Sequence, residues 1–200
     1  MPPAPVHDVP DGSAFDPWRL SLLGIEQFAA SRENIDRFFR GGDGEPPIDI
    51  LVEEMDNLDL KVLVRQVARE RGIDVLMLSD FGHQAHLMWQ AFSENSKAPL
   101  GLRTDDDSLL QALEAAKTGG RAKVFEFVGY LCGADFASDQ FAAWIAGEGE
   151  QPTGSLPQSG ATAMASGAIG GKEIALRVLG HAVPPTGRVV YDLLHRAVRT

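Results

Sequence analysis

Cysteine occurs once in these 200 residues, as Cys132. A lone thiol cannot close a disulfide within the chain, and a reducing compartment suits it. It also excludes a zinc centre of four cysteines, so zinc is not expected as a cofactor. Basic residues are scarce too: 18 Lys and Arg face 28 Asp and Glu, a net charge of −10. Nucleic acids and anionic membranes are bound through cationic faces, so neither is an expected partner. No run of about 18 apolar residues exists, and no transmembrane helix is expected. The opening "MPPAPVHDVPDG" lacks the basic and apolar regions of a signal peptide. The expected location is the cytoplasm. What the chain does have, at 44% hydrophobic residues, is enough to build a core.

Residues 1–13 hold four prolines and read as a flexible arm, with a single domain over 14–200. A strand is expected near 18–23 and a short helix over 31–40, capped by Ser31, with Ile35, Phe38 and Phe39 inward. "GGDGEPP" is a loop. Ile48, Ile50, Leu51 and Val52 make a buried strand over 48–54. Leu60, Leu63, Val64, Val67 and Ala68 recur at helical spacing, and Gly72 stops that helix. A second buried strand follows over 73–79. Strand, helix and strand within about thirty residues form a parallel βαβ unit. After Asp80 three helices are expected, as an insert over about 106–147. A long helix of small residues follows the polar loop "EGEQPTGSLPQSG", and a strand over 186–192 runs into a short helix. The fold class expected is therefore α/β: a Rossmann-like, mostly parallel sheet with helices on both faces.

Negative charge concentrates where the first of these strands hands over to its helix. Glu53, Glu54 and Asp56 lie there, and Asp80 ends the second strand. Asp56 has two readings. It is the natural N-cap of the helix, with Asp59 three residues on as in a capping box. It also stands outside the carboxyl end of a parallel strand, where open α/β sheets bind ligands and where an acid can hold Mg²⁺ against phosphate. Lys61, Arg65 and Arg69 form a stripe that reads as a solvated helix face. His83, His86 and Asp80 make a conceivable metal set, although no third converging element is evident. Cys132 reads as a buried structural residue, and "TDDDS" at 104–108 as the charged start of a helix. In "SGAIGGK", Gly167 and Gly171 read as a close-packing pair. Ser166 and Glu173 stand where a phosphate loop needs Gly and Ser or Thr.

The stretch "DILVEEMDNLDLKVLVRQVARERGIDVLML" resembles the ThiF/MoeB-like adenylyltransferase family, relatives of the ubiquitin-activating enzymes. That family carries an acid-rich strand end, an Asp-Asn step and a basic residue five positions later, here Asp56, Asn57 and Lys61. "FDPWRLSL" is similar to the family's Ile-Asn-Pro strand start, with Asp16 in place of Asn. "LPQSGATAMASGAIGGKEIALRVLG" with "PPTGRVVYDL" is similar to its late small-residue helix and closing strand. The resemblance spans roughly residues 15–195. It implies ATP and Mg²⁺ as cofactors and activation of the C-terminal carboxylate of a ubiquitin-like or sulfur-carrier protein. Asp56 would hold Mg²⁺, Asp56, Asn57 and Lys61 would bind the nucleotide, and Asp56 and Lys61 would be catalytic.

The chain departs from that family in one respect above all. The family's glycine-rich phosphate loop belongs to a βαβ unit that precedes the matched region, and no G-x-G-x-x-G occurs here. The sheet is thus expected to be incomplete at its N-terminal edge. The chain alone is expected to bind ATP weakly or not at all, and to form a homodimer or to pair with a polypeptide that supplies the missing unit. The alternative is a catalytically degenerate member that serves as a protein-binding or scaffold module.

Overall fold

The structure is a computed structural model and describes residues 32–41, 46–102, 104–133, 136–137, 139–147, 159–181 and 186–200. The expected arm, the strand at 18–23, Ser31, most of the loop after residue 41 and most of the loop before 159 lie outside these residues. The chain divides into two units, 1–47 and 48–200. The first contains helix α1, Arg32–Arg40, which buries Ile35 and Phe39 completely and leaves Phe38 half-buried. No helix among the described residues is long and apolar enough to cross a membrane.

The second unit opens with strand β1 (Ile50–Glu53), helix α2 (Leu58–Arg71) and strand β2 (Asp74–Phe81). β1 and β2 are parallel, Ile50 beside Asp74 and Glu53 beside Met77. The helix begins where Asn57, not Asp56, acts as N-cap: Asn57 Oδ1 accepts from Leu60 N at 3.0 Å. A cap accepts from an amide two or three residues on, and Leu60 N lies four residues from Asp56. Gly72 ends the helix in the left-handed region, φ 66°, where a Cβ is strained.

Beyond β2 the sheet is not the mostly parallel one expected. Strand β3 (Gln84–Gln90) returns antiparallel to β2, β4 (Thr186–Asp192) runs antiparallel to β3, and β5 (Ala197–Arg199) to β4. The order is β1-β2-β3-β4-β5, mixed, with one parallel neighbour pair and three antiparallel ones. The reason is the length of the link. Only Gly82 and His83 separate β2 from β3, whereas a parallel return needs a dozen residues or more. Gly82 takes φ 62°, which a two-residue hairpin asks of its first turn position. β3 shows no alternation because all seven of its residues are buried. The short helix expected after 192 is instead a turn into β5.

Helices α3 (Asp106–Thr118), α4 (Gly120–Cys132) and α5 (Asp139–Ala146) occupy the expected insert. Asp105 starts the first of them, its carboxylate accepting from Ser108 N and Ser108 Oγ, each at 2.8 Å. The long helix α6 is Gly160–Val178, capped by Ser159. α6 lies on one face of the sheet, where Ile169, Ile174 and Leu176 pack on Leu76, Leu78, Leu87 and Trp89. Each leucine buried this way contributes roughly 1.5–3 kcal/mol. α2 lies on the other face, its Lys61 Nζ 4.0 Å from Met77 Sδ and Arg65 bonded to Gln90. Helices therefore cover both faces.

The glycines of α6 act differently from the expected pair. A Cβ on Gly167 or Gly171 would meet nothing within 4 Å, and both residues are exposed. The close approach is at Gly170, against the side chain of Leu78. The buried stripe of α6 is Thr162, Ser166 and Gly170, the same spacing of four, one residue out of phase with Gly167 and Gly171.

Candidate functional site

A strand that ends in an acid must either hydrate that acid or pair it. Glu53 is the last residue of β1 and points into the α2 face, where it is 1% exposed. Its Oε1 accepts from Lys61 Nζ at 2.8 Å and from Met55 N at 2.7 Å, and its Oε2 accepts from Arg65 Nη1 at 2.9 Å. Burial pushes the Glu53 pKa up, but the charges of Arg65 and Lys61 outweigh it and hold the carboxyl below its ordinary value. Arg65 also donates to Lys61 O and, through Nε, to Gln90 Oε1 at 2.8 Å, while Gln90 Nε2 donates to Leu100 O. The cationic stripe is thus not a solvated face. Lys61 and Arg65 are buried, and Arg69 is half-buried with Asp106 at 2.7 Å. A helix stripe goes inward when a carboxylate waits beneath it, because an unpaired buried acid costs far more than the pairing.

This network fixes the segment 54–57, which crosses the carboxyl end of the sheet and carries Asp56 into solvent. Above it opens a cleft of about 520 Å³, walled by Asp56, Asp80 and Phe81 at the strand ends, by Lys61 on α2, by Val128 on α4 and by Ser166 on α6. That volume falls among small-molecule sites, roughly 300–1,000 Å³. Asp80 Oδ2 and Ser166 Oγ are buried and have no hydrogen-bond partner among the described residues. Burial first, and then the charge of Asp56, push the Asp80 pKa above its ordinary value. The two carboxylates therefore repel each other across the cleft. Of the nucleotide-binding residues implied above, Asn57 is engaged as the α2 cap and Lys61 as the partner of Glu53, although Lys61 borders the cleft. Ser166 was missed. The signal for it was the four-residue spacing from Thr162 to Gly170.

Cys132 borders the same cleft but is buried, and burial pushes its thiol pKa up to about 11. A thiolate is therefore negligible at neutral pH. Alkylation by iodoacetamide at pH 7 is expected to be slow in the folded protein and complete once denaturant is added. Mass spectrometry of the two samples checks this, and rapid native labelling would contradict the burial.

His83, His86 and Asp80 do not converge. His86 sits across from Ser79 in the ladder, on the opposite face from Asp80, because successive side chains of a strand alternate. It is buried edge-on against Phe81, with ring centroids 5.0 Å apart. His83, in the β2–β3 turn, meets Asp192 and His195 instead. A second cleft, of about 450 Å³, is walled by Leu87, Trp89, Val189 and Tyr191 and touches neither Asp56 nor Asp80.

No family model matches the chain. An uncharacterized protein of Mycobacterium tuberculosis (strain CDC 1551 / Oshkosh), MT1398, is 45% identical over 47 residues, which is 24% of this chain and 6% of that protein. The solved structure titled "Crystal Structure of SeMet PaaA" matches with a TM-score of 0.45 and 11% identity, over 86% of this chain and 46% of that one. The chain thus spans less than half the length of either protein.

Proposed function

We propose that the cleft at the carboxyl edge of β1 and β2 is the cation-and-phosphate edge of an adenylating site of the ThiF/MoeB kind, acting on the C-terminal carboxylate of a ubiquitin-like or sulfur-carrier protein. One observation carries this reading: Asp56 and Asp80 face one cleft from the ends of neighbouring parallel strands, and Asp80 keeps a buried oxygen without a partner among the described residues. Mg²⁺ is held by one or two carboxylates plus substrate phosphates, keeping several waters. Asp56 and Asp80 fit that donor set. The bound cation supplies charge neutralisation of the phosphates. The chain's own residues do the positioning: Glu53 ties down the segment through Met55 N, and Asn57 orders the first turn of α2. Lys61 adds positive potential to the cleft wall from its seat on Glu53.

The phosphate-cradling amides are not in these 200 residues, which contain no G-x-G-x-x-G. In this reading they come from outside them, through a further segment, a second copy or another polypeptide. The competing reading, a protein-binding module, draws on exposed Met164, Val178 and Leu179 on and just after α6.

Thermal unfolding with and without Mg²⁺ tests the site. Mg²⁺ is expected to raise the Tm of the wild type and to leave D56N and D80N unmoved. Without metal, D80N is itself expected to raise the Tm at neutral pH. A carboxyl whose folded pKa lies above its ordinary 3.8 costs stability once pH exceeds the folded value, and the cost vanishes below the ordinary one. The D80N gain should therefore fade on acidification. Calorimetry with Mg²⁺-ATP should find weak binding or none, and a low-micromolar Kd would remove the need for an outside loop. A wild type indifferent to Mg²⁺ would favour the binding module.

A further inference from the structure

The antiparallel pairing of β3 with β4 sets Gln84 beside Asp192. His83, one residue before Gln84, is thereby brought against the end of β4, and the turn after Asp192 carries His195 back to the same point. That turn is tight enough that Arg196 takes φ 54°, a region non-glycine residues seldom occupy. Asp192 Oδ1 accepts from His195 N at 2.9 Å, which pins the turn. The outcome is two imidazoles on one carboxylate. His83 Nε2 lies 3.4 Å from Asp192 Oδ1, and His195 Nδ1 lies 3.0 Å from Asp192 Oδ2. One ligating atom from each of the three residues falls within 4.8 Å of the others.

We propose that His83, Asp192 and His195 form a site for a first-row divalent transition ion of the zinc class, with the remaining coordination positions open to water. Four features of the site favour this. Two imidazole nitrogens and a carboxylate oxygen are the donor set such ions take, and a three-residue set with open positions is a recurrent arrangement. Donors about 2.1 Å from a tetrahedral ion stand about 3.4 Å apart, close to the 3.4 Å and 3.0 Å that separate the two imidazole nitrogens from the Asp192 oxygens they meet. The carboxylate side chain is 4% exposed and is oriented by a neutral amide. Gln84 Nε2 donates to Oδ2 at 2.9 Å, and the exposed Arg199 guanidinium lies farther off, at 3.5 Å. Such supporting hydrogen bonds orient a ligand toward its metal. His195 is 65% exposed at its side chain, which leaves one side of the site open to solvent and to an incoming ion. The absence of a four-cysteine centre has no bearing on this donor set.

The site lies at the β2–β3 turn, but its residues are not those of the Asp56 and Asp80 cleft, so the two can fail separately. The test is titration of the EDTA-treated full chain with Zn²⁺ by calorimetry and with Co²⁺ by visible absorption. One saturable site per chain is expected, with Co²⁺ bands of nitrogen and oxygen coordination. H83Q and H195Q should each weaken binding at least about tenfold, since losing even a supporting partner of a ligand costs about 10–100-fold. The exposed His195 can be replaced without disturbing the core, so H195Q keeps the test independent of folding. H181Q, at an exposed histidine outside the cluster, and D56N should bind as the wild type does. Absence of saturable binding, or unchanged affinity in H83Q and H195Q, would overturn the proposal and leave the cluster a hydrogen-bonded turn.

Discussion

Replacing Glu53 by glutamine is expected to lower the unfolding free energy by about 3–5 kcal/mol, the cost of removing one partner from a buried ion pair. Glu53 answers two buried cations at once, Lys61 at 2.8 Å and Arg65 at 2.9 Å, and the Arg65 side chain is wholly buried. With glutamine in place, two like charges share a site without an acid. Denaturant unfolding of wild type and E53Q measures the difference, and a loss under about 1 kcal/mol, the worth of an exposed pair, would show that water reaches the network. The effect also has a pH signature. The folded Glu53 pKa is held below the ordinary 4.5, so its contribution is fully present above that value and is lost as pH falls through the folded one. The gap between wild type and E53Q should therefore close in acid. Replacing all three residues by apolar ones of similar volume should cost far less than E53Q, since the charges then leave together.

The second large effect is expected at Gly170. A Cβ there would stand 2.5 Å from Leu78 Cδ1 and 2.8 Å from Cδ2. Leu78 belongs to the cluster with Leu76, Leu87 and Trp89 and has little room to yield. G170V is expected to destabilise by about 3 kcal/mol, the upper part of the range for overpacked cores. G167A and G171A, with nothing near the added carbon, are expected to stabilise by up to about 1 kcal/mol through helix propensity. Thermal unfolding of the three variants is the check. If G170V matched G167A, the contact between α6 and β2 would be looser than the distances imply. Trimming Leu78 in the G170V background should recover part of the loss.

These two predictions fall where sequence reading went furthest astray. At 61, 65 and 69 a helical charge stripe was visible, but its direction depended on whether Glu53 pointed into or out of the sheet. Strand alternation through Leu51 and Glu53 set that direction. At 167 and 171 the spacing of four was right and the phase was wrong, because small residues crowd every face of α6. The Asp56 and Asp80 cleft was half legible, since both acids end hydrophobic runs. The contribution of Ser166 from α6, more than eighty residues later in the chain, was not.

The sequence by itself determined the β1–α2–β2 unit. Its apolar runs, helical period and Gly72 stop are local features, and a link of a whole helix leaves parallel pairing as the ready arrangement for the two strands. The positions of α3, α4, α5 and α6 and the excess of acid were equally local. Only the tertiary structure decided the pairing of β3 with β4, the burial of Lys61 and Arg65, and the meeting of His83 with Asp192 and His195. The meeting of β3 with β4 joins residues as far apart as Gln84 and Asp192, 108 positions on, through strand register, and the burial of Lys61 and Arg65 turns on which way Glu53 faces; a local periodicity encodes neither.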